Sequence, residues 1–145
     1  MILQIDAQLT KQMVDAAEAA FPAEACGLII GRGKGQLIRV TRVVPAENLL
    51  AETPDRFELD PATRIAVEKD LRDSGTKDRI IGHYHSHTDG TAEPSATDRA
   101  MAFEPEMAWL IVGVLDGQAI QTLGHRMDEK RGNFRPVPLR TPKAK

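Results

Sequence analysis

Cysteine is almost missing from this chain of 145 residues: Cys26 stands alone. An internal disulfide is therefore excluded, and so is every zinc cage built on several thiolates. Charge of one sign is also lacking. Nineteen basic residues face 21 acidic ones, for a net charge of −2, so no basic field advertises nucleic acid as a partner. Long hydrophobic runs are absent too. The longest apolar stretch, Met107 to Leu115, is far short of the ~20 residues a membrane-spanning helix needs. The opening Met1-Ile-Leu-Gln-Ile-Asp6 is too short in apolar residues to read as a signal peptide. What remains, 41% hydrophobic and 28% charged residues, is the make-up of an ordinary globular domain. A soluble, cytoplasmic protein without nucleic-acid or membrane partners is expected. No internal repeat and no linker divides the chain.

Taken in order, Ile2–Ile5 reads as a short strand. Asp6 is a good N-cap for a helix in which Leu9, Met13, Ala16, Ala17 and Ala20 recur at helical spacing, stopped by Pro22. Ala25–Gly31 reads as a buried strand, paired through Gly33-Lys-Gly35 with Gln36–Val44. Residues 45–54 read as a loop and Arg56–Leu59 as a short strand. Asp60-Pro61 is an N-cap followed by proline at the first helical position, and Gly75 is a natural stop for that helix. A further helix is expected from Ser95 to about Phe103, ended by Glu104-Pro105. Met107–Leu115 should be a central strand, turning at Asp116-Gly117 into Gln118–Gly124. Phe134–Arg140 fits an edge strand in a charged, proline-rich tail running from Asp128 to Lys145, with its last residues frayed. Strands and helices mixed in this order imply a single α/β domain with helices packed on a sheet.

The densest chemistry lies in Gly82-His83-Tyr84-His85-Ser86-His87 and in Ser95-Ala96-Thr97-Asp98. On a strand, His83, His85 and His87 share one face while Tyr84 and Ser86 take the other. Neighbouring histidines of that row stand roughly 6.6–7 Å apart at Cα and can lean onto one cation, whereas His83 and His87 are about 13 Å apart. The metal pair is therefore 83/85 or 85/87. A helix starting at Ser95 after a seven-residue loop would return Asp98 towards the C-terminal end of the strand, which favours His85, His87 and Asp98. Three protein ligands with an open fourth position is the layout of a catalytic zinc, although other first-row divalent ions share these ligand types. The plain alternatives are that Ser95-x-x-Asp98 is a capping box and that the histidines merely pack.

His85-x-His87-x7-Ser95-x2-Asp98 resembles the signature of the JAMM (MPN-type) zinc peptidases. The resemblance extends to Pro22-Ala-Glu24-Ala-Cys26-Gly-Leu-Ile-Ile-Gly31, to Asn48 and to Phe57-Glu-Leu-Asp-Pro61, and covers about residues 1–125. It implies a cytidine-deaminase-like αβα layered mixed sheet, with a JAMM domain over residues 1–127 and the tail at 128–145. It implies one Zn²⁺ per chain on His85, His87 and Asp98. It further implies that Glu24 is the general base, taking a proton from the water and passing it to the leaving amine, and that Ser95 donates to the oxyanion. One departure from the family pattern is Thr88, where many members have proline after the second histidine. The deaminase signature of His-x-Glu with Pro-Cys-x-x-Cys and the His-Glu-x-x-His helix are both absent. Cys26, between apolar residues, reads as a small core side chain rather than a nucleophile, and His83 reads as packing.

The resemblance implies hydrolysis of a peptide or isopeptide bond after the C-terminal Gly-Gly of a ubiquitin-like or sulfur-carrier protein, in a compact form like the stand-alone bacterial members. A zinc amidase acting on small peptides or cell-wall fragments, and a non-catalytic MPN-type binding module, are the competing readings. A homodimer is left open.

Overall fold

The computed structural model of the chain describes residues 1–53, 55–102, 104, 106–128 and 132–143. Strand β1 (Ile2–Gln4) leads into helix α1 (Ala7–Ala20), whose N-cap Asp6 accepts the Leu9 N–H at 2.8 Å. Then follow β2 (Cys26–Arg32), β3 (Leu37–Ala46), helix α2 (Pro61–Ser74), β4 (Arg79–His87), helix α3 (Ala96–Ala100), β5 (Ala108–Leu115), β6 (Gln118–Met127), β7 (Phe134–Val137) and β8 (Leu139–Arg140). Helix α2 has Pro61 in its first turn, Asp60 capping Ala62 N–H, and Gly75 in the left-handed region at φ 64°.

The strands form one mixed sheet in the order β7-β6-β5-β4-β2-β3-β1-β8. Its two rims are consecutive in the chain. Phe134–Val137 pairs with β6, and Leu139–Arg140, after Pro138, pairs with β1. One short ribbon thus covers both open edges, and the sheet is largely closed, which removes the unpaired backbone that an open edge would present.

Helix α1 packs on one face of the sheet. Met13 and Ala17 meet Leu3, Ile29, Val40, Tyr84, Leu110, Val112 and Val114 there. Helix α2 covers the other face near β2, where Val67 and Leu71 meet Leu28, Ile30 and Ile80. A strand covered on both faces needs apolar residues at successive positions, and the run Cys26–Ile30 supplies them. Burial of each large aliphatic side chain in such a core contributes roughly 1.5–3 kcal/mol. Gly27 is required by this packing, because a Cβ there would stand 2.3 Å from the Tyr84 ring.

A bulge decides which way the histidines face. Along β2 and β4, Ile30 pairs with Ile80 but Ile29 pairs with Gly82, leaving Ile81 as an extra residue on β4. The extra residue reverses the alternation, as bulges do. Ile81 and Tyr84 point into the α1 core, and His83, His85 and His87 share the α2 face with Ile80.

Several expected boundaries shift. Arg56–Leu59 is not a strand: only an isolated bridge joins Leu59 to Asn48, because the backbone there is occupied in tying a loop. Strand β3 runs on through Pro45 to Ala46. Beyond Arg39 it no longer pairs with β1, and proline is tolerated on such an edge. Strand β6 continues past Gly124 to Met127. Helix α3 is a single turn ending at Ala100, shorter than expected. Phe103 and Pro105, placed by the sequence at the end of that helix, lie outside the described residues, as do Pro54 of the loop and Ala144 and Lys145 of the tail. Among the described residues, no helix is long and apolar enough to cross a membrane.

Candidate metal centre

The C-terminal end of β4 carries His85 and His87, both buried, and the first turn of α3 carries Asp98, also buried. Their ligand atoms converge. His85 Nε2 stands 3.1 Å from His87 Nε2 and 3.2 Å from Asp98 Oδ1, and His87 Nε2 stands 2.9 Å from Asp98 Oδ2. Donor atoms bound at 2.0–2.1 Å to a tetrahedral zinc lie about 3.3 Å from one another. The gap between the two imidazole nitrogens matches that spacing within a few tenths of an ångström, one Asp98 oxygen lies beside each nitrogen, and the donor set of two imidazoles and a carboxylate is one zinc takes readily. His85, His87 and Asp98 form a single zinc-binding site. His83 is not part of it. Its ring packs edge-on against Trp109 at 4.3 Å, and its Nε2 is buried without a partner among the described residues.

Each ligand is oriented by its surroundings. His87 Nδ1 donates to the Thr91 carbonyl at 3.1 Å, leaving Nε2 as the free lone pair, the usual support for a metal-binding imidazole. The loop bearing Thr91 is itself anchored, since buried His125 on β6 bonds to the Ala92 carbonyl at 2.7 Å. It also packs directly on β5, where a Cβ on Gly113 would meet Gly90 O at 2.3 Å. The His85 ring is covered by Phe57, stacked at 4.4 Å. His85 Nδ1 is buried and unpartnered among the described residues.

Asp98 performs two tasks at once. Ser95 Oγ accepts the Asp98 N–H at 3.0 Å, and Asp98 Oδ2 accepts the Ser95 N–H at 2.9 Å. Ser95-x-x-Asp98 is therefore a capping box and a ligand-bearing turn together, so the two readings of that motif do not compete. Burial alone would raise the Asp98 pKa, but hydrogen bonds from His85 and His87 outweigh it and hold the carboxyl well below the usual range. Burial pulls the His85 pKa down. At His87 the same penalty is overcome by the bond to Asp98, and its pKa rises. A proton and a metal ion compete for these lone pairs, so metal affinity here depends on pH.

Glu24 enters from the segment just ahead of β2. Cys26 pairs with His85, and Ala25 follows in the same register, exchanging Ser86 N–H to Ala25 O at 3.0 Å and Ala25 N–H to Ser86 Oγ at 2.8 Å. One further step places Glu24 opposite His87. Glu24 is only 4% exposed, and burial, partly offset by His87 and reinforced by Asp98, pushes its pKa up to about 8. Glu24 borders two hollows. One is an apolar cleft of about 320 Å³ walled by Leu28, Phe57, Ile80, Met101 and Trp109. The other, of about 310 Å³, holds Ser95, His87 and the acidic Asp55, Asp89 and Glu93. Cys26 stays out of this chemistry: burial pushes its thiol up to about 12.

The sequence pattern did not single out Ser86, Thr91, His125 or the stacking of Phe57 on His85. Only Ser86, enclosed between two ligands, offered a local signal.

The sequence profile described as prokaryotic homologs of the JAB domain matches residues 6–127. Among characterised proteins, the chain is 37% identical over 90 residues to a desampylase of Haloferax volcanii, a match covering 62% of this chain and 62% of that one. The chain therefore spans less than two thirds of that relative's length. It is 30% identical over 136 residues to a CysO-cysteine peptidase of Mycobacterium tuberculosis, covering 94% of this chain and 90% of the relative. Among solved structures it is similar to protein DSY2949 from Desulfitobacterium hafniense, with a TM-score of 0.83 and 28% identity over 99% of this chain and 94% of that one.

Proposed function

Because the chain belongs to the family of prokaryotic homologues of the JAB domain, we propose that it is a zinc-dependent peptidase or isopeptidase. Its substrate in this reading is a peptide or isopeptide bond after the C-terminal Gly-Gly of a ubiquitin-like or sulfur-carrier protein. The observation that carries the reading is the convergence of His85, His87 and Asp98 within 4.8 Å beside a buried carboxyl, Glu24. The desampylase and the CysO-cysteine peptidase support the substrate class by their names. The finer cytidine-deaminase-like layering of the sheet, the division into a JAMM domain over residues 1–127 and a tail at 128–145, and a cytoplasmic location belong to the same proposal.

A zinc ion on His85, His87 and Asp98 would supply Lewis acidity, lowering the pKa of a water and polarising the scissile carbonyl. Glu24 accepts a proton from the attacking water and returns it to the departing amine. A carboxyl with a pKa near the working pH is suited to both transfers. Ser95 Oγ already accepts from Asp98 N–H, so its own proton is available to the developing oxyanion. Phe57 and Trp109 wall the apolar side of the cleft and keep bulk water from the reacting bond. An extended Gly-Gly tail suits a narrow passage, since it lets a backbone approach closely.

The test is cleavage of carrier-protein fusions that join the C-terminal Gly-Gly to a lysine side chain or to cysteine. The zinc-loaded protein is expected to release the leaving group, and Glu24→Gln to abolish release while keeping zinc. Short peptides turned over as efficiently as the fusions would replace this reading with a small-peptide amidase. Zinc binding without cleavage of either class would leave a binding module.

A further inference from the structure

Asn48 lies just past β3, half-buried and outside the metal centre. A side-chain amide has two N–H donors and one carbonyl oxygen with two lone pairs, and here all four are used. Nδ2 donates to the Glu24 carbonyl at 2.9 Å and to the Arg56 carbonyl at 3.3 Å. Oδ1 accepts the Leu50 N–H at 2.9 Å and the Glu58 N–H at 3.0 Å. We propose that Asn48 is a positioning residue for Glu24, fixing Glu24 and the loop that carries Phe57 as one unit. The proposal rests on the reading of Glu24 as the proton carrier.

The peptide group that joins Glu24 to Ala25 is held at both of its polar atoms by side chains distant in sequence. Its carbonyl is held by Asn48, and the next amide, Ala25 N–H, by Ser86, which sits between two metal ligands. Those two bonds fix the plane of the Glu24–Ala25 peptide, the anchor from which the Glu24 side chain departs. The same Asn48 side chain closes both ends of the loop through Leu50 and Glu58, aided by Leu49 N–H to Glu58 O at 2.8 Å and the bridge from Asn48 to Leu59. That loop presents Phe57 to His85 at 4.4 Å and brings the negative charge of Asp55 to bear on Glu24. No other side chain meets all four demands. Aspartate lacks the donors, serine has one, and glutamine is a carbon too long. A misplacement of about 1 Å at a reacting group costs on the order of 10²-fold in rate, which is why a clamp on the Glu24 backbone bears on catalysis as well as on folding.

Two variants separate the bonds. Asn48→Asp keeps the acceptors for Leu50 and Glu58 but loses both donors, releasing the Glu24 carbonyl. Asn48→Ala releases all four groups. Each is measured three ways: kcat and KM of the zinc-loaded protein on a carrier fusion, hydrogen exchange of the Leu50 and Glu58 amides, and the Glu24 carboxyl 13C resonance in the metal-free protein. Both variants are expected to keep one zinc per chain, to lose about 10–100-fold in kcat and to shift the Glu24 resonance. Asn48→Asp should keep slow exchange at Leu50 and Glu58 and change KM less than kcat, whereas Asn48→Ala should lose that protection. Leu71→Ala, which loosens the packing under α2 without touching Glu24, should lower stability and leave kcat near wild type. If kcat in both Asn48 variants stays within about twofold of wild type while they are folded, or if the Glu24 resonance does not move, the proposal is overturned. Should the wild-type protein cleave no fusion, the function reading fails on its own, and the resonance and exchange data still decide the role of Asn48.

Discussion

Ser86 Oγ accepts the Ala25 N–H at 2.8 Å, extending the pairing of β2 with the strand that holds His85 and His87 by one residue towards Glu24. Ser86 is fully buried, so the bond has no water to replace it. Ser86→Ala leaves the Ala25 N–H without an acceptor, a loss that costs about 1–3 kcal/mol. Thermal unfolding of the zinc-free variant should show a lowered Tm. An unchanged Tm would mean that the pairing at Ala25 and Ser86 is held by the ladder bonds alone.

Glu24 should reveal itself in the metal-free protein through stability as a function of pH. Its folded pKa is raised from 4.5 to about 8, chiefly by burial. A carboxyl with a raised folded pKa favours the folded state below the unfolded value and withdraws that support as pH climbs through the folded value. Glu24→Gln should therefore match wild type near pH 4 and be the more stable protein above pH 8, by up to about 5 kcal/mol. Chemical denaturation at the two pH values is the check, and equal stabilities at both would place Glu24 in a far wetter setting than the structure gives it.

Ser95→Ala separates the cap from the ligand. It removes the acceptor for Asp98 N–H, at about 0.5–2 kcal/mol, and also removes the proposed oxyanion donor, at about 10²–10³ in kcat. Zinc content should be unchanged because His85, His87 and Asp98 all remain. Loss of zinc in this variant would show that the cap, not the ligand set, holds the site together.

Phe57→Ala uncovers the His85 ring and removes one wall of the apolar cleft. Zinc should leave the variant faster when challenged with a chelator, and KM for a carrier fusion should rise more than kcat falls. Chelator-exchange kinetics and steady-state assays read the two effects separately.

Much of this site was legible in the sequence because its parts are local. The spacing of His85 and His87 on a strand, and of Ser95 and Asp98 on a helical turn, states which side chains can meet. The caps at Asp6 and Asp60 and the stop at Gly75 are equally local signals, and the helices begin and end where those residues dictate. Features that depend on distant partners were not readable. The extra residue at Ile81 is ordinary in composition, yet the bulge it makes turns the histidines to the α2 face. Asn48 draws its four partners from residues 24, 50, 56 and 58, and only the folded chain brings them to one side chain. The same is true of the ribbon at 134–140, whose pairing with both rims depends on how far the sheet curls. Arg56–Leu59 misled for a related reason: its alternating pattern suits a strand, but its backbone groups are already committed to the Asn48 loop.

Whether His85, His87 and Asp98 hold one zinc ion is read from metal content. Protein purified without added metal, then equilibrated with zinc and freed of excess, should carry one zinc per chain by elemental mass spectrometry. His87→Ala and Asp98→Ala, each shown to be folded, should carry almost none, while His83→Ala should keep the full amount. Zinc retained in the first two variants, or lost from His83→Ala alone, would place the metal on ligands other than His85, His87 and Asp98.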